Sequence, residues 1–502
     1  MIKGSIASAL VLATCLLPLG AAGVAAGPGE TQPLSLQQAV TVALARDALV
    51  RDAQQSLDDA RAALVQAKSR TPRLSIGADS SAASSAGLDP ESAITGTDYS
   101  SQSYSSDLSM PLGGGTNVGL FTSASTSTTN SQLRGGGGSE FTFAGAAVGA
   151  GISRSLGIFR DERVLTEGGR WSAELSVRSA ELALDQARRQ VVSDTLDHFF
   201  AALQAQRQVE LAEASAREND ELLRIAQEKL KLGKLAEIEV METQVSAASA
   251  TVSLRQAQAA AATAMDSLRN FLGMPLDQPV QLTYEEEAVP APSGVEGDAP
   301  PLDESALIAQ ALTRRPDLQQ LALGLRQTEL SVQQAEAQSR PGVMLVGSYS
   351  KSGGAETISE SFRNLVNPSW GVGVSTSLSL TRSEDRAAIQ QARGRLRLAQ
   401  LDQQLRRDEV RLEIRRLVRE VQAATDNVSV LKGTVKLAEE NLRIRQAQLD
   451  HGLIRPIDVM QTERQLSDTR SQHLNAVIAY QLARARLSLA VGEMPFAEGR
   501  QL

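Results

Sequence analysis

The segment KLGKLAEIEVMETQ, from Lys231 to Gln244, returns as DHGLIRPIDVMQTE, from Asp450 to Glu463. Gly233 matches Gly452, Glu239 matches Asp458, Val240-Met241 matches Val459-Met460, and Thr243 matches Thr462. The spacing between those two glycines equals the spacing between Gly273 in FLGMP and Gly492 in AVGEMP. Two pairs of landmarks in one register require a duplicated unit, and that constrains the fold more than any local motif.

Both halves follow one order. In the first repeat, 27–282, apolar residues at helical spacing predict a helix over 36–69, stopped by Pro72. A Ser-, Gly- and Thr-rich strand region follows over 73–155, then a long helix over 162–232 and another over 234–272 after Gly233. The second repeat, 302–495, gives helices 302–338, 384–451 and 453–491 around a strand region at 343–380. A Pro-rich acidic linker, 283–301, joins the repeats, and 496–502 is a tail. Each long helix would measure roughly 100 Å at 1.5 Å per residue. The two shorter helices of a repeat together match that length, so they can stack end to end beside it and cover its apolar stripe.

Lys3 followed by an apolar run to Leu19 and by Val24-Ala25-Ala26 reads as a signal peptide over 1–26. The single cysteine, Cys15, lies inside it. LATC resembles a lipoprotein cleavage box, although Thr14 fits poorly and the apolar run continues past the cysteine. The net charge of −8, without a basic block, excludes nucleic acid as a partner. His198, His451 and His473 are far apart, and no phosphate loop, nucleophile elbow or metal cluster is present, so neither catalysis nor a cofactor is expected. His198 reads as a packing residue, His451 as a helix cap, and Met241 and Met460 as core.

In WGVGVSTSLSL, from Trp370, apolar residues alternate with Gly and Ser, and LSIGADS, from Leu74, does the same. Apolar-out, small-polar-in alternation is the pattern of a transmembrane barrel, and of a soluble sheet with one wet face. Aromatic residues are only 3% of the chain, yet Tyr349, Trp370, Phe141 and Phe143 fall in the strand regions, which suits a membrane girdle. Open strand edges are not tolerated in lipid, so several copies must close such a sheet.

The openings LQQAVTVALARD and DESALIAQALTRRPDL, the helix-ending prolines 72 and 341, the tips LGKLAEIEV and HGLIRPIDV, and the terminal LGMP and VGEMP together resemble the TolC-like outer-membrane efflux protein family. The resemblance covers nearly the whole chain after the signal peptide. It implies a mainly α fold with a membrane β portion, built from a duplicated helix-strand-strand-helix-helix unit. It implies a homotrimer in the outer membrane, with a 12-stranded barrel, four strands per chain, continued by a 12-helix periplasmic tunnel. It further implies docking onto a periplasmic adaptor (membrane fusion protein) of an inner-membrane pump or type I secretion system. Small molecules or polypeptides would then leave passively through the duct. The competing reading is a periplasmic coiled coil with no lumen.

One departure is that the first half offers four strand-like stretches, near 73–82, 103–110, 116–127 and 140–153, where the family needs two. The extra hairpin around Gly113–Gly115 is expected on the extracellular side, with GGGGS at 135–139 as a loop. At the tips, Gly233, Leu235, Gly452, Leu453 and Ile454 are the expected adaptor-docking residues. Asp458 and Gln461, one helix face apart by three residues, occupy the position that the resemblance makes a periplasmic gate. The second departure is that the acid pair sits in the other tip, as Glu239 and Glu242. Acids there also suit a helix start without any gating role. Arg455 and Arg464 are the candidate latches.

Overall fold

A computed structural model describes residues 32–69, 71–84, 98–129, 141–233, 235–283, 303–377, 382–451 and 453–494. The signal segment with Cys15, the GGGGS loop, most of the linker, the C-terminal tail and Gly452 lie outside them.

The chain opens with β1 (Gln32–Ser35), α1 (Leu36–Arg46) and α2 (Ala48–Lys68). Four strands follow: β2 (Arg73–Ser84), β3 (Asp98–Gly113), β4 (Thr116–Thr129) and β5 (Phe141–Leu156). Then come α3 (Glu162–Lys231), α4 (Glu237–Phe271) and β6 (Val280–Thr283). The second half holds α5 (Glu304–Arg314), α6 (Pro316–Gln338), β7 (Gly342–Ala355), α7 (Ile358–Arg363) and β8 (Asn367–Ser377). It ends with α8 (Arg382–Asp450) and α9 (Pro456–Val491).

The long helices α3 and α8, of 70 and 69 residues, are the trunk. The short helices flank them: α1, α2 and α4 pack on α3, while α5, α6 and α9 pack on α8. Contacts of α3 with α6 and α9 join the two repeats. The largest core cluster gathers Leu36, Val192, Leu196, Phe199 and Phe200 with Leu268 and Leu272. It includes Leu34 and Leu282 from β1 and β6, a two-stranded parallel sheet that sequence patterning did not indicate. Four-residue strands are too short to carry a period.

Two expected helices are broken. The helix expected over 36–69 is interrupted at Asp47, whose extended backbone lets its carboxylate cap α2 at the Leu49 N–H, 2.7 Å away. The one expected over 302–338 is interrupted at Arg315, because the residue before Pro316 is driven out of the helical region. Arg315 then pairs with Asp317 and with Glu413 of α8 at 3.0 and 2.7 Å. Burial works against the charge on Asp317, but Arg315 and Arg406 outweigh it and hold the carboxyl below its ordinary value.

The larger sheet has six antiparallel strands in the order β2-β3-β4-β5-β7-β8. The chain therefore supplies six strands where the resemblance implies four, the two more being the extra hairpin read from the sequence. The extra hairpin β3–β4 is inserted between β2 and β5 and is hydrogen-bonded on both sides. Its turn is also at the opposite end from the one expected. Gly113, Gly114 and Gly115 all have positive φ, and Gly115 accepts the Ser155 N–H at 2.9 Å. That places the turn at the end where β5 runs into α3, next to the helices.

Candidate functional site

Along the sheet, registers connect Leu74, Leu108, Leu120, Ala150, Tyr349 and Trp370 into one row of directly opposed residues, one from each strand. Directly opposed side chains share a face, so this row is apolar across all six strands. The next row on that face, Met110, Val118, Ile152, Gly347 and Val372, repeats the character. The neighbouring row on the other face is Ser75, Asp107, Phe121, Gly149, Ser350 and Ser369. Over these two rows one face has the apolar character that suits lipid, the row beyond them on that face (Ile76, Ser106, Thr122, Val148, Lys351, Pro368) is mixed, and the other face is small and largely polar.

Tyr349 and Trp370 are a direct cross-strand pair on the apolar face, and Trp370 is 78% exposed within the single chain. Phe143 is a correction: it is opposed to Ser127 and belongs to the polar face, where its ring covers Gly354. Phe121 covers Gly149 in the same way. Aromatic rings over strand glycines fill the gap left by the missing side chain, a packing role that composition mistook for a girdle. Phe141 lies in β5, and its side chain is outside the described residues.

The helical end carries the two tips. Gly233, at φ +69°, closes the turn after α3 by donating its N–H to Leu230 O at 2.8 Å. The Leu453 N–H reaches back to Gln448 O at 2.9 Å to finish α8. Lys229 Nζ donates to Leu449 O at 3.2 Å and ties the two long helices together at their ends. Leu453 is 73% exposed, whereas Leu235 and Ile454 are half-buried, Ile454 against the cluster of Leu442, Leu449, Val459 and Leu466. The apolar surface at the first tip is instead Leu232 and Ile238. Met460 is buried, but Met241, expected in the core, faces outward.

Asp458 is not a free carboxylate. As the third residue of α9 it accepts the Arg455 backbone N–H at 3.1 Å and the Arg455 guanidinium at 3.3 Å, both donated by the residue that precedes the helix. Hydrogen bonding to Asp458, then its charge, and then the charges of Glu239 and Glu242, hold Arg455 above its ordinary value. Of the four predicted gate residues, Asp458 alone is hydrogen-bonded to Arg455, while Glu239 and Glu242 of the other tip reach it through their charge. Gln461 is exposed, as is Glu242. Arg464 donates to Ser246 Oγ of α4 at 3.2 Å, and Ser246 continues to Asn219 of α3 at 3.4 Å. His198 stacks on Phe271 with ring centroids 4.7 Å apart, a packing contact.

Sequence reasoning passed over two features. Glu463 is 2% exposed and sits one turn above Val459, inside the apolar register of α9. Burial, then Glu218 of α3 through a shared hydrogen bond and its charge, push its carboxyl up to about 8, against the opposing pull of Arg470. Arg470 is itself held by Glu439 of α8 at 2.9 Å. The second feature is a set of apolar residues at heptad spacing left uncovered in the single chain: Val430, Leu437 and Ile444 on α8, and Ile238, Val245 and Val252 on α4. A third run, Leu398, Leu405 and Leu412, continues the stripe along α8. A heptad count on the sequence would have shown all three.

Among the described residues no helix is long and apolar enough to cross a membrane, and no cluster of His, Cys, Asp and Glu is arranged to hold a metal. A sheet with one apolar face carried on a trunk of paired helices is the fold of channel proteins and not that of enzymes. The outer membrane efflux protein family matches residues 117–274 and 307–493, most of the chain, and the chain belongs to that family. It is 23% identical over 322 residues to nodulation protein T of Rhizobium leguminosarum bv. trifolii, covering 64% of this chain and 67% of that one. It is 25% identical over 312 residues to the alkaline protease secretion protein AprF of Pseudomonas aeruginosa, covering 60% and 61%. In fold it superposes on CusC with a TM-score of 0.67 at 17% identity, covering 91% of this chain and 92% of that one. The outer membrane protein VceC of Vibrio cholerae gives 0.65 at 16% identity, with 91% and 96% covered. Outer-membrane efflux and secretion are the business of this family.

Proposed function

We propose that this protein is the outer-membrane exit duct of a tripartite efflux or type I secretion assembly, working as a homotrimer. The duct is passive and passes small molecules or polypeptides, the latter suggested by the relative named for protease secretion. The observation that carries the reading is the uncovered heptad stripes. Val430, Leu437 and Ile444 end beside the second tip, and Ile238, Val245 and Val252 begin beside the first. Running in opposite directions from the same end, they fit each other as an antiparallel seam between neighbouring copies. The apolar sheet face needs lipid, which a lumenless periplasmic coiled coil would not offer it. Leu453 and Leu232, exposed at the free end, are the surface offered to a periplasmic adaptor and its inner-membrane pump. Arg455, with Asp458, Glu239 and Glu242, latches the mouth.

Light scattering of detergent-extracted protein tests the assembly. Wild type should have the mass of three chains. Leu437→Glu should shift it toward monomer, and adding Val245→Lys should restore the trimer by pairing the new charges across the seam. A folded, monodisperse wild-type monomer would overturn the proposal.

A further inference from the structure

The sheet of one copy ends in two free edges. β2 has 12 residues and β8 has 11, and among the described residues neither has a hydrogen-bonded neighbour on its outer side. Strand directions alternate through the six, so β2 runs away from the helices and β8 runs back toward them. Placed side by side, the β2 edge of one copy and the β8 edge of the next are antiparallel and equal in length to within one residue. Both edges also continue the same faces, with Leu74 at one margin of the apolar row and Trp370 at the other.

The inserted hairpin decides how many strands the closed wall contains. Leu108 opposes Leu120 on the apolar face, and Ser105 opposes Ser123 on the polar one. A hairpin standing in the lumen or in solvent would wet Leu108 and Leu120. One lying outside the wall in lipid would bury Ser105 and Ser123 and leave two edges unpaired, which the hydrocarbon does not tolerate. With both edges of the hairpin paired, to β2 and to β5, Leu108 and Leu120 meet lipid and Ser105 and Ser123 meet the lumen.

We propose that all six strands of every copy form the wall of the membrane barrel, closed by the β2 edge of one copy pairing antiparallel with the β8 edge of the next. For three copies, a number that rests on the function proposed above, the barrel has 18 strands. Barrel diameter grows roughly in proportion to strand number, so this one is about 1.5 times as wide as a 12-stranded barrel. The polar face lines it with mainly small neutral side chains. The membrane segment is then a wide sleeve, and the tips are where passage is controlled.

Electron cryomicroscopy of the full chain in lipid nanodiscs counts strands and copies together. A trimer with 18 strands is the expected result. A trimer with 12 strands, the hairpin displaced from the wall, would overturn this inference and leave the trimer standing. A different number of copies, each with six strands in the wall, would uphold it and overturn the trimer. Single-cysteine labelling gives an independent reading: Ser123→Cys should react with a charged, water-soluble thiol reagent and Leu120→Cys should not. Equal reaction at both positions would refute a wall location for the hairpin.

Discussion

Glu463 offers the sharpest test of how the helices are held near the tips. An acid whose folded value exceeds its unfolded one keeps its proton in the folded state while the unfolded chain releases it. Stability therefore falls as pH rises between the two values and the loss is complete above the higher one. For Glu463 the window runs from 4.5 to about 8. At roughly 1.4 kcal/mol per pH unit the full loss is at most about 5 kcal/mol per chain. Unfolding entropy near 2.1 cal/mol/K per residue gives about 1 kcal/mol/K for a chain of 502 residues, so the loss corresponds to about 5 °C in melting temperature.

Glu463→Gln keeps the volume and a hydrogen-bond donor toward Glu218 while removing the titration. Melting of wild type and variant in one detergent, at a series of pH values from 4.5 to 8.5, should show the variant gaining on wild type by several degrees as pH rises. Glu218→Gln should give a smaller gain, because burial, the larger cause, remains. Parallel melting curves for wild type and Glu463→Gln across the window would refute the assignment. The same ionisation weakens the packing of α9 on α3, so the window is also the one in which the tips are easiest to part.

Two further outcomes concern the tips. Leu453→Asp should abolish export while leaving the amount of trimer in the outer membrane unchanged, checked by cargo release beside a blot of the assembled protein; undiminished export would remove Leu453 from the docking surface. In planar bilayers Arg455→Ala should strengthen block of single-channel current by trivalent cations, by freeing Asp458, Glu239 and Glu242, and Asp458→Ala should weaken it. Asp458→Ala should also cost roughly 0.3–1 kcal/mol through the lost negative charge in the first turn of α9, and identical block in all three proteins would move the constriction away from Arg455.

Much of this architecture is written in periodicity. The long helices stand out because α3 and α8 carry helical patterns over 70 and 69 residues, and glycines 233 and 452 mark their ends. Alternation likewise revealed four strand-like stretches in the first half. What alternation does not carry is partnership. Phe143 and Trp370 both sit in alternating strands, yet only the register against Ser127 and Tyr349 assigns them to opposite faces. Met241 occupies the place in its repeat that Met460 occupies in the other, but Met460 is 1% exposed and Met241 51%. Equivalent residues in a duplicated fold thus see different neighbours.

The hairpin turn could have been located without any register. Chain order takes β2 away from the helices and brings β5 back to them, so the strands between must come in pairs. Ser84, Asp98, Thr129 and Phe141, where those strands end or begin, then lie at the far end, and the middle turn at Gly113–Gly115 returns to the helices. The same parity explains how this departure from a four-strand pattern is compatible with the trunk. An inserted hairpin adds two strands and preserves the side on which α3 begins, so the helical half needs no rearrangement. The turn has to fit close beside the start of α3. Three consecutive positive φ values, with Gly115 bonded to Ser155, make it tight enough, and a side chain at Gly115 would crowd the Cβ of Ser155. Widening a membrane sheet by an internal hairpin therefore places its demands on those glycines and leaves the helices as they were.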